Sequence, residues 1–176
     1  MKTRQSGFSL IEVLVTIAIL MIGLLGLAAL QTNATIAEME AYQRSQALIL
    51  VQDLADRIAA NKTNAASYLV TNTGTSVVSP CPTTSLAATD LCEWSNKIAG
   101  AAEVTGGGTK VGAMLGALGC VTQPTPNYYM VTVSWQGMSQ IGASTPGATC
   151  GFGQYGAGKR RTVSVVVRVG LLGTTT

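Results

Sequence analysis

A single carboxylate, Glu12, interrupts the most apolar part of this chain of 176 residues. It ends the string GFSLIE at residues 7–12 and comes just before an apolar run from Val13 to Leu30. A charged side chain near the end of a membrane helix is costly, and such residues usually serve a function through a partner group. Glu12 is therefore a candidate functional residue. The alternative is that its carboxylate lies at headgroup depth and is simply solvated.

Four cysteines form the second group with available chemistry, and all lie beyond the apolar run: Cys81, Cys92, Cys120 and Cys150. An even number of cysteines in an exported segment predicts two disulfides in an oxidising compartment. A zinc site is the alternative, but the chain has no histidine and no CxxC pair. Of the three connectivities we predict Cys81–Cys92, which closes the start of a short helix, and Cys120–Cys150, which ties a long loop to a sheet. We predict no metal and no cofactor.

The residues needed for catalysis are scarce. Because the chain has no histidine, a Ser-His or Cys-His nucleophile is impossible. Acidic residues stop at Glu103, so that the rest of the chain has no carboxylate side chain for general acid or base work. We therefore predict that the protein is not an enzyme and has no small-molecule substrate.

The apolar run that follows Glu12 predicts a membrane span. Hydrophobic residues make up 47% of the chain and charged residues 11%, against about 25% charged in an average soluble domain. As a helix, residues 13–30 would span roughly 27 Å, close to the hydrocarbon thickness of a bilayer. Lys2 and Arg4 precede the run and no charge follows it until Glu38. The positive-inside rule then places the N-terminus in the cytoplasm and the remainder outside.

The helical pattern continues beyond the membrane segment. Residues 31–60 are amphipathic, with apolar residues largely at spacings of three and four. No proline occurs between Phe8 and Ala60, so we predict one helix of roughly 80 Å. Its second half can pack on its own head, whereas its first half, residues 8–30, must be buried in lipid or among copies of itself. That is the pattern of a subunit that polymerises.

Residues 61–176 are predicted to form the exported head. Residues 61–80 indicate a loop, and Thr84 or Ser85 could cap a short helix with Leu91, Trp94 and Ile98 on one face. Alternation of apolar and polar residues predicts strands at residues 118–123, 128–136 and 163–169. Residues 137–158 indicate a long surface loop. The fold class is therefore α+β, with the long helix packed on an antiparallel sheet.

A basic cluster, Lys159-Arg160-Arg161, precedes the last predicted strand. It could contact DNA or an acidic partner surface. We favour a solvated strand edge that discourages unwanted pairing, and we expect no nucleic-acid partner. Trp94 and Trp135 are interpreted as core residues.

The string GFSLIEVLVTIAIL, preceded by the basic leader MKTRQS, resembles the class III signal of type IV pilins and type II secretion pseudopilins. The resemblance implies a type IV pilin-like fold and a leader of residues 1–7. It also implies that a membrane prepilin peptidase cuts between Gly7 and Phe8 and N-methylates Phe8. Glu12 would then pair with the Phe8 amine of a neighbouring subunit during assembly, because two buried charges are tolerable as a pair. An ordinary secretory signal, cut near Ala28-Ala29, is the alternative.

Further segments, among them IGLLGLAALQ and CPTTSLAATDLCEWSNKIAG, resemble the PilV-type minor pilins, or type IV pilus modification proteins. That resemblance implies a minor pilin of a priming or tip complex that initiates pilus assembly and supports twitching motility and adhesion. Its implied partners are other minor pilins, the major pilin, the prepilin peptidase, the inner-membrane assembly platform and, before assembly, membrane lipid. Its implied location is the inner membrane, with a periplasmic head, and then the pilus at the cell surface. A type II secretion pseudopilin and a plain single-pass membrane protein with a binding head are the alternatives.

Overall fold

A computed structural model describes the chain at residues 7, 9–101, 106, 114–141 and 149–170. The chain divides into two compact units, Met1–Met39 and Glu40–Thr176. The helices are α1 (Leu10–Ala60), a 3-10 helix (Lys62–Tyr68) and α2 (Leu86–Ile98), and the strands are β1 (Val70–Thr73), β2 (Leu118–Thr125), β3 (Tyr128–Gln136) and β4 (Arg160–Arg168).

The strands form one antiparallel sheet in the order β1-β2-β3-β4. At its centre Val131 of β3 faces Val121 of β2 and Val165 of β4. β-branched side chains at these positions suit a pleated surface that is buried on one face. The predicted α+β class and the three predicted strands are confirmed.

The expected loop at residues 61–80 is wrong over residues 62–73, which contain the 3-10 helix and strand β1. Tyr68 is fully buried and ends the 3-10 helix. Strand β1 lies at an edge of the sheet and none of its four residues is fully buried. An edge strand of Thr and Asn has no apolar alternation, which is the reason that the sequence pattern indicated a loop.

Helix α2 begins and ends close to the positions predicted from the sequence. Ser85 is the N-cap, and its hydroxyl accepts a hydrogen bond from the N–H of Ala88 at 3.2 Å. Trp94 and Ile98 are buried, as predicted. Gly100 follows the helix with φ of 77°, a left-handed conformation that glycine adopts at little steric cost.

The core of the head lies between α1, α2 and the inner face of the sheet. Ala47, Val51, Leu54 and Ile58 of α1 are each 0% exposed, at spacings that place them on one helical face. Trp94 of α2 packs in the same cluster, and its indole N–H donates to the carbonyl of Leu50 at 2.8 Å. The second half of α1 is therefore part of the head, as its amphipathic pattern predicted.

The outer face of the sheet is partly covered. Thr132 and Ser134 point away from the core, yet they are 2% and 0% exposed. Their hydroxyls bond to Ser164 Oγ at 2.8 Å and to Tyr155 Oη at 3.2 Å. Tyr155 belongs to the segment that follows Cys150, so that this part of the predicted surface loop lies over the sheet. The sequence had predicted only a long surface loop at residues 137–158.

Candidate functional site

Helix α1 begins at Leu10, shortly after the predicted processing site between Gly7 and Phe8. The carbonyl of Ser9 accepts from the N–H groups of Glu12 at 3.0 Å and Val13 at 3.3 Å, which starts the first turn of α1. Gly7 is exposed, and a Cβ added there would meet nothing within 4 Å. Phe8 and residues 1–6 lie outside the described residues. No described residue therefore crowds Gly7, and cleavage after it stays a prediction.

Every side chain from residue 9 to residue 35 is exposed. Helix α1 is long and apolar enough to cross a membrane, on length and composition. The hydroxyl of Thr16 donates to the carbonyl of Val13 at 2.8 Å, and Thr32 and Thr35 make the same kind of bond one turn back. These hydroxyls need no partner outside the helix. Of the polar groups in the apolar part of α1, the carboxylate of Glu12 is therefore the one that needs a partner outside its own helix.

Glu12 lies in the first turn of α1. The unpaired N–H groups of the first turn carry partial positive charge, which favours a carboxylate there. This partly offsets the cost of a charge in an apolar surrounding and leaves the carboxylate oxygens available to a cation from another molecule. The structure describes a single chain, so that the pairing of Glu12 with a neighbour's amine stays a prediction.

A second charged cluster lies inside the head and joins three elements. The guanidinium of Arg57 donates to Asp53 at 3.2 Å, to Asp90 at 2.7 Å and to Glu93 at 2.8 Å. Asp90, on α2, is 8% exposed and also accepts from the hydroxyl of Tyr68. We call these residues the Arg57 cluster. It fixes α2 and the 3-10 helix against α1.

The Arg57 cluster shifts the titration of its members. Burial alone would raise the pKa of Asp53, but hydrogen bonds from Lys97 and Arg57 outweigh it, and the pKa is lowered. Burial and the hydrogen bond to Asp90 raise the pKa of Tyr68. Asp53 therefore stays ionised and Tyr68 stays protonated at neutral pH, which maintains the cluster.

A third polar contact ties α1 to the far end of the sheet. One oxygen of Glu40 accepts from the N–H groups of Met138 at 3.1 Å and Ser139 at 3.0 Å, from the Ser139 hydroxyl at 2.8 Å and from Arg161 at 3.0 Å. The Ser139 N–H lowers the pKa of Glu40 most, and the Ser139 hydroxyl and Arg161 lower it further against the effect of burial, to about 2. We call this arrangement the Glu40 clasp.

The interpretation of the basic cluster as a solvated edge is wrong for Arg161. Its side chain is 12% exposed and is held by Glu40. Arg160 donates to the carbonyl of Cys150 at 3.0 Å, and its guanidinium lies 5.7 Å from the ring centre of Phe152. β4 is indeed an edge strand, but two of its first cations serve internal contacts. Sequence spacing could not show this, because Glu40 and Arg161 are far apart along the chain.

The four cysteines form two disulfides, Cys81–Cys92 and Cys120–Cys150, in the expected pairing. The zinc alternative is wrong, because no thiolate is left as a ligand. Cys81–Cys92 connects the loop before α2 to α2 itself. Cys120–Cys150 connects β2 to the segment that covers the outer face of the sheet.

The predicted site residues thus fall into two separate groups. Gly7 and Glu12 lie in the unit Met1–Met39, and the four cysteines lie in the unit Glu40–Thr176. Sequence reasoning missed Glu40, Arg57, Asp90 and Arg161. Charged residues on the half-buried second half of α1 were a signal for Glu40 and Arg57, since such a helix rarely keeps charges unpaired. Nothing local identified their partners Asp90 and Arg161.

Comparisons with known families cover the first half of the chain. Residues 2–28 match the model described as the prokaryotic N-terminal methylation motif, and residues 29–96 match the model described as type IV pilin Tt1218. No curated protein and no solved structure matches the chain. The first match covers Gly7, Phe8 and Glu12, and the second covers the Arg57 cluster and the Cys81–Cys92 disulfide. The chain is thus similar to a type IV pilin over residues 29–96 and carries the N-terminal methylation motif directly before that segment.

Proposed function

We propose that this protein is a minor pilin of the type IV pilus, a subunit of the priming complex that initiates pilus assembly and supports twitching motility and adhesion. The proposal is supported chiefly by the exposure of the first half of α1. This half exposes every side chain from residue 9 to residue 35, it carries the methylation motif, and its acid is Glu12. A helix of this kind needs lipid before assembly and other subunits after it.

In this account the chain is inserted with its N-terminus in the cytoplasm and its head in the periplasm. A prepilin peptidase cuts between Gly7 and Phe8 and methylates the new Phe8 amine. The lack of a side chain at Gly7 lets the protease draw the backbone into its site. The leader, residues 1–7, then leaves.

The role proposed for Glu12 is to set the register of insertion. The Phe8 amine of a subunit already in the fibre is a cation in an apolar surrounding, and Glu12 of the incoming subunit pairs with it. Each charge would be costly alone, whereas the pair is tolerated. The partners are therefore other minor pilins and the major pilin, delivered by the inner-membrane assembly platform.

The presence of Glu12 also indicates a position in the complex. A subunit that pairs through this acid needs a predecessor, whereas a founding subunit has none and could lack the acid. We place this protein near the tip of the pilus, directly below a partner pilin whose corresponding residue is not acidic.

The mass of the mature N-terminus tests the proposal. We expect loss of residues 1–7 and the addition of one methyl group on Phe8, and we expect the mature chain in purified pili. Gly7→Val should leave uncut precursor in the membrane, whereas Gly26→Val should mature normally, since Gly26 lies beyond the processing site. An intact N-terminus in the wild type would refute the processing step and favour a plain membrane anchor.

A further inference from the structure

The segment between β1 and α2 is exposed along nearly its whole length. We call residues 75–85 the Val78 loop. With the exception of Cys81, which is partly buried, each of its residues is exposed. Val77 and Val78 are 37% and 50% exposed, and Leu86, the first residue of α2, is 62% exposed. The loop thus adds almost nothing to the core of the head.

The same loop is nevertheless held firmly at several points. The side-chain amide of Asn96 binds both backbone groups of Val78, accepting from its N–H at 2.8 Å and donating to its carbonyl at 2.7 Å. Cys81 is bonded to Cys92, and the hydroxyl of Thr89 donates to the carbonyl of Pro82 at 2.8 Å. All three restraints come from α2.

The Val78 loop is ordered although it is exposed, and this favours binding. A loop usually remains mobile unless apolar burial fixes it. Here polar clamps and a disulfide fix a loop that presents its valines to solvent. A surface that is ordered before binding loses less conformational entropy when a partner arrives. The Val78 loop is therefore suited to binding a partner. It is ordered although it contributes little to the stability of the core.

The charge pattern indicates the kind of partner. Residues 63–89 contain no charged side chain. Depletion of charge is characteristic of the centre of protein interfaces. The surface of the partner must also be uncharged, since a charge placed against this loop would lose its water and gain no counter-ion.

Other classes of ligand fit the loop less well. Residues 69–93 contain no aromatic residue, so that the loop offers no ring for a sugar or a nucleic-acid base to stack on. It also offers no Lys or Arg to attract anionic lipid or a phosphate backbone. Apolar and hydroxyl-bearing side chains without charge suit a folded protein surface.

We propose that the Val78 loop is a docking surface for the head of another pilin subunit, which it contacts through an apolar and uncharged patch. This inference rests on the proposed function, because assembly of the fibre is what brings a second head alongside. The contact would act together with the pairing of Glu12 and would select which subunit is the neighbour.

The test compares two single charges placed on valines of similar exposure in the full-length chain. Val78→Asp should reduce co-purification with partner pilins from detergent-solubilised membranes about tenfold, since a charge is buried without a partner. Val166→Asp is the matched control, because Val166 is 56% exposed on the sheet. Co-purification of this variant with partner pilins should stay within about twofold of wild type. Both variants should unfold at the wild-type temperature.

A photo-crosslinking side chain at Val77 provides the second measurement and leaves the loop uncharged. We expect an adduct whose peptides identify another chain with a prepilin N-terminus. If wild type co-purifies with pilins and Val78→Asp does so equally well, or if the Val77 adduct is a lipid or a soluble protein, the docking surface is refuted and the proposed function stands. If the wild type itself associates with no pilin, both are refuted.

Discussion

The two halves of helix α1 share one secondary structure and have opposite burial. Side chains 9–35 are all exposed, whereas Ala47, Val51, Leu54 and Ile58 are 0% exposed. The second half finds its apolar partners in the core of its own head. The first half is at least as apolar, so its partners have to be lipid or other subunits. This contrast supports the proposal that one helix serves folding at one end and assembly at the other.

The charged residues of the two halves of α1 also differ in whether they have partners within the chain. In the second half Glu40, Asp53 and Arg57 are each bound by groups of the same head. In the apolar segment of the first half, Glu12 is the charged residue and lies on an exposed helix surface. Internal pairs stabilise the head, whereas Glu12 is available to a cation from another molecule.

Shortening one leucine in each half of α1 should give the largest difference between them. Leu54 is 0% exposed and Leu24 is 63% exposed. Leu54→Ala should lower the free energy of unfolding of the head by about 2–5 kcal/mol, because it leaves a cavity in the core. Leu24→Ala should leave it unchanged. Urea unfolding of the full chain in detergent, followed by tryptophan fluorescence, measures both, and equal effects would contradict the division.

Removing the centre of the Arg57 cluster should have the next largest effect. Arg57→Met leaves Asp90, at 8% exposure, without its cation, and we expect a loss of about 3 kcal/mol in the free energy of unfolding. The exposed Arg44 on the same helix is the control, and Arg44→Met should change it by less than about 0.5 kcal/mol. If the two variants are equally stable, the cluster does not fix α2.

The Glu40 clasp predicts a smaller, pH-dependent effect. Glu40→Gln should cost about 1 kcal/mol at neutral pH, because it removes the charge from several hydrogen bonds. The pKa of Glu40 in the folded head is about 2, below its ordinary value of 4.5. The stabilisation is therefore present above pH 4.5 and is lost as the pH falls from 4.5 toward 2.

The measurement for the clasp is the difference in unfolding free energy between wild type and Glu40→Gln as a function of pH. It should be constant from pH 7 to about pH 5 and should shrink below that. A difference that stays constant down to pH 2.5 would show that the carboxylate is not held by Ser139 and Arg161.

Periodicity predicted much of the fold, because it follows directly from burial. The long helix, the face that carries Val51 and Leu54, and the strand that contains Val131 all have apolar residues at the spacing of their element. Ser85 was among the predicted caps of α2, since a hydroxyl just before an apolar helical pattern is a local signal.

The features that sequence reasoning missed depend on contacts between distant residues. Strand β1 is polar and lies at an edge, so that only its pairing with β2 defines it. Ser134 is buried because the segment after Cys150 covers it, and no local pattern shows this. The partner of Arg161 is Glu40, and nothing in the neighbourhood of either residue indicates the other.

In the function proposed above, Glu12 serves assembly between subunits and not the stability of its own chain. The most direct test of this role is the co-purification of partner pilins with Glu12→Ala from membranes, together with the number of surface pili. We expect normal cleavage and insertion, since an apolar residue only eases insertion, but a marked loss of association and of pili. Glu38→Ala, which removes an exposed acid from the same helix, should behave as wild type. If Glu12→Ala associates as well as wild type and pili remain as numerous, the role proposed for Glu12 is contradicted.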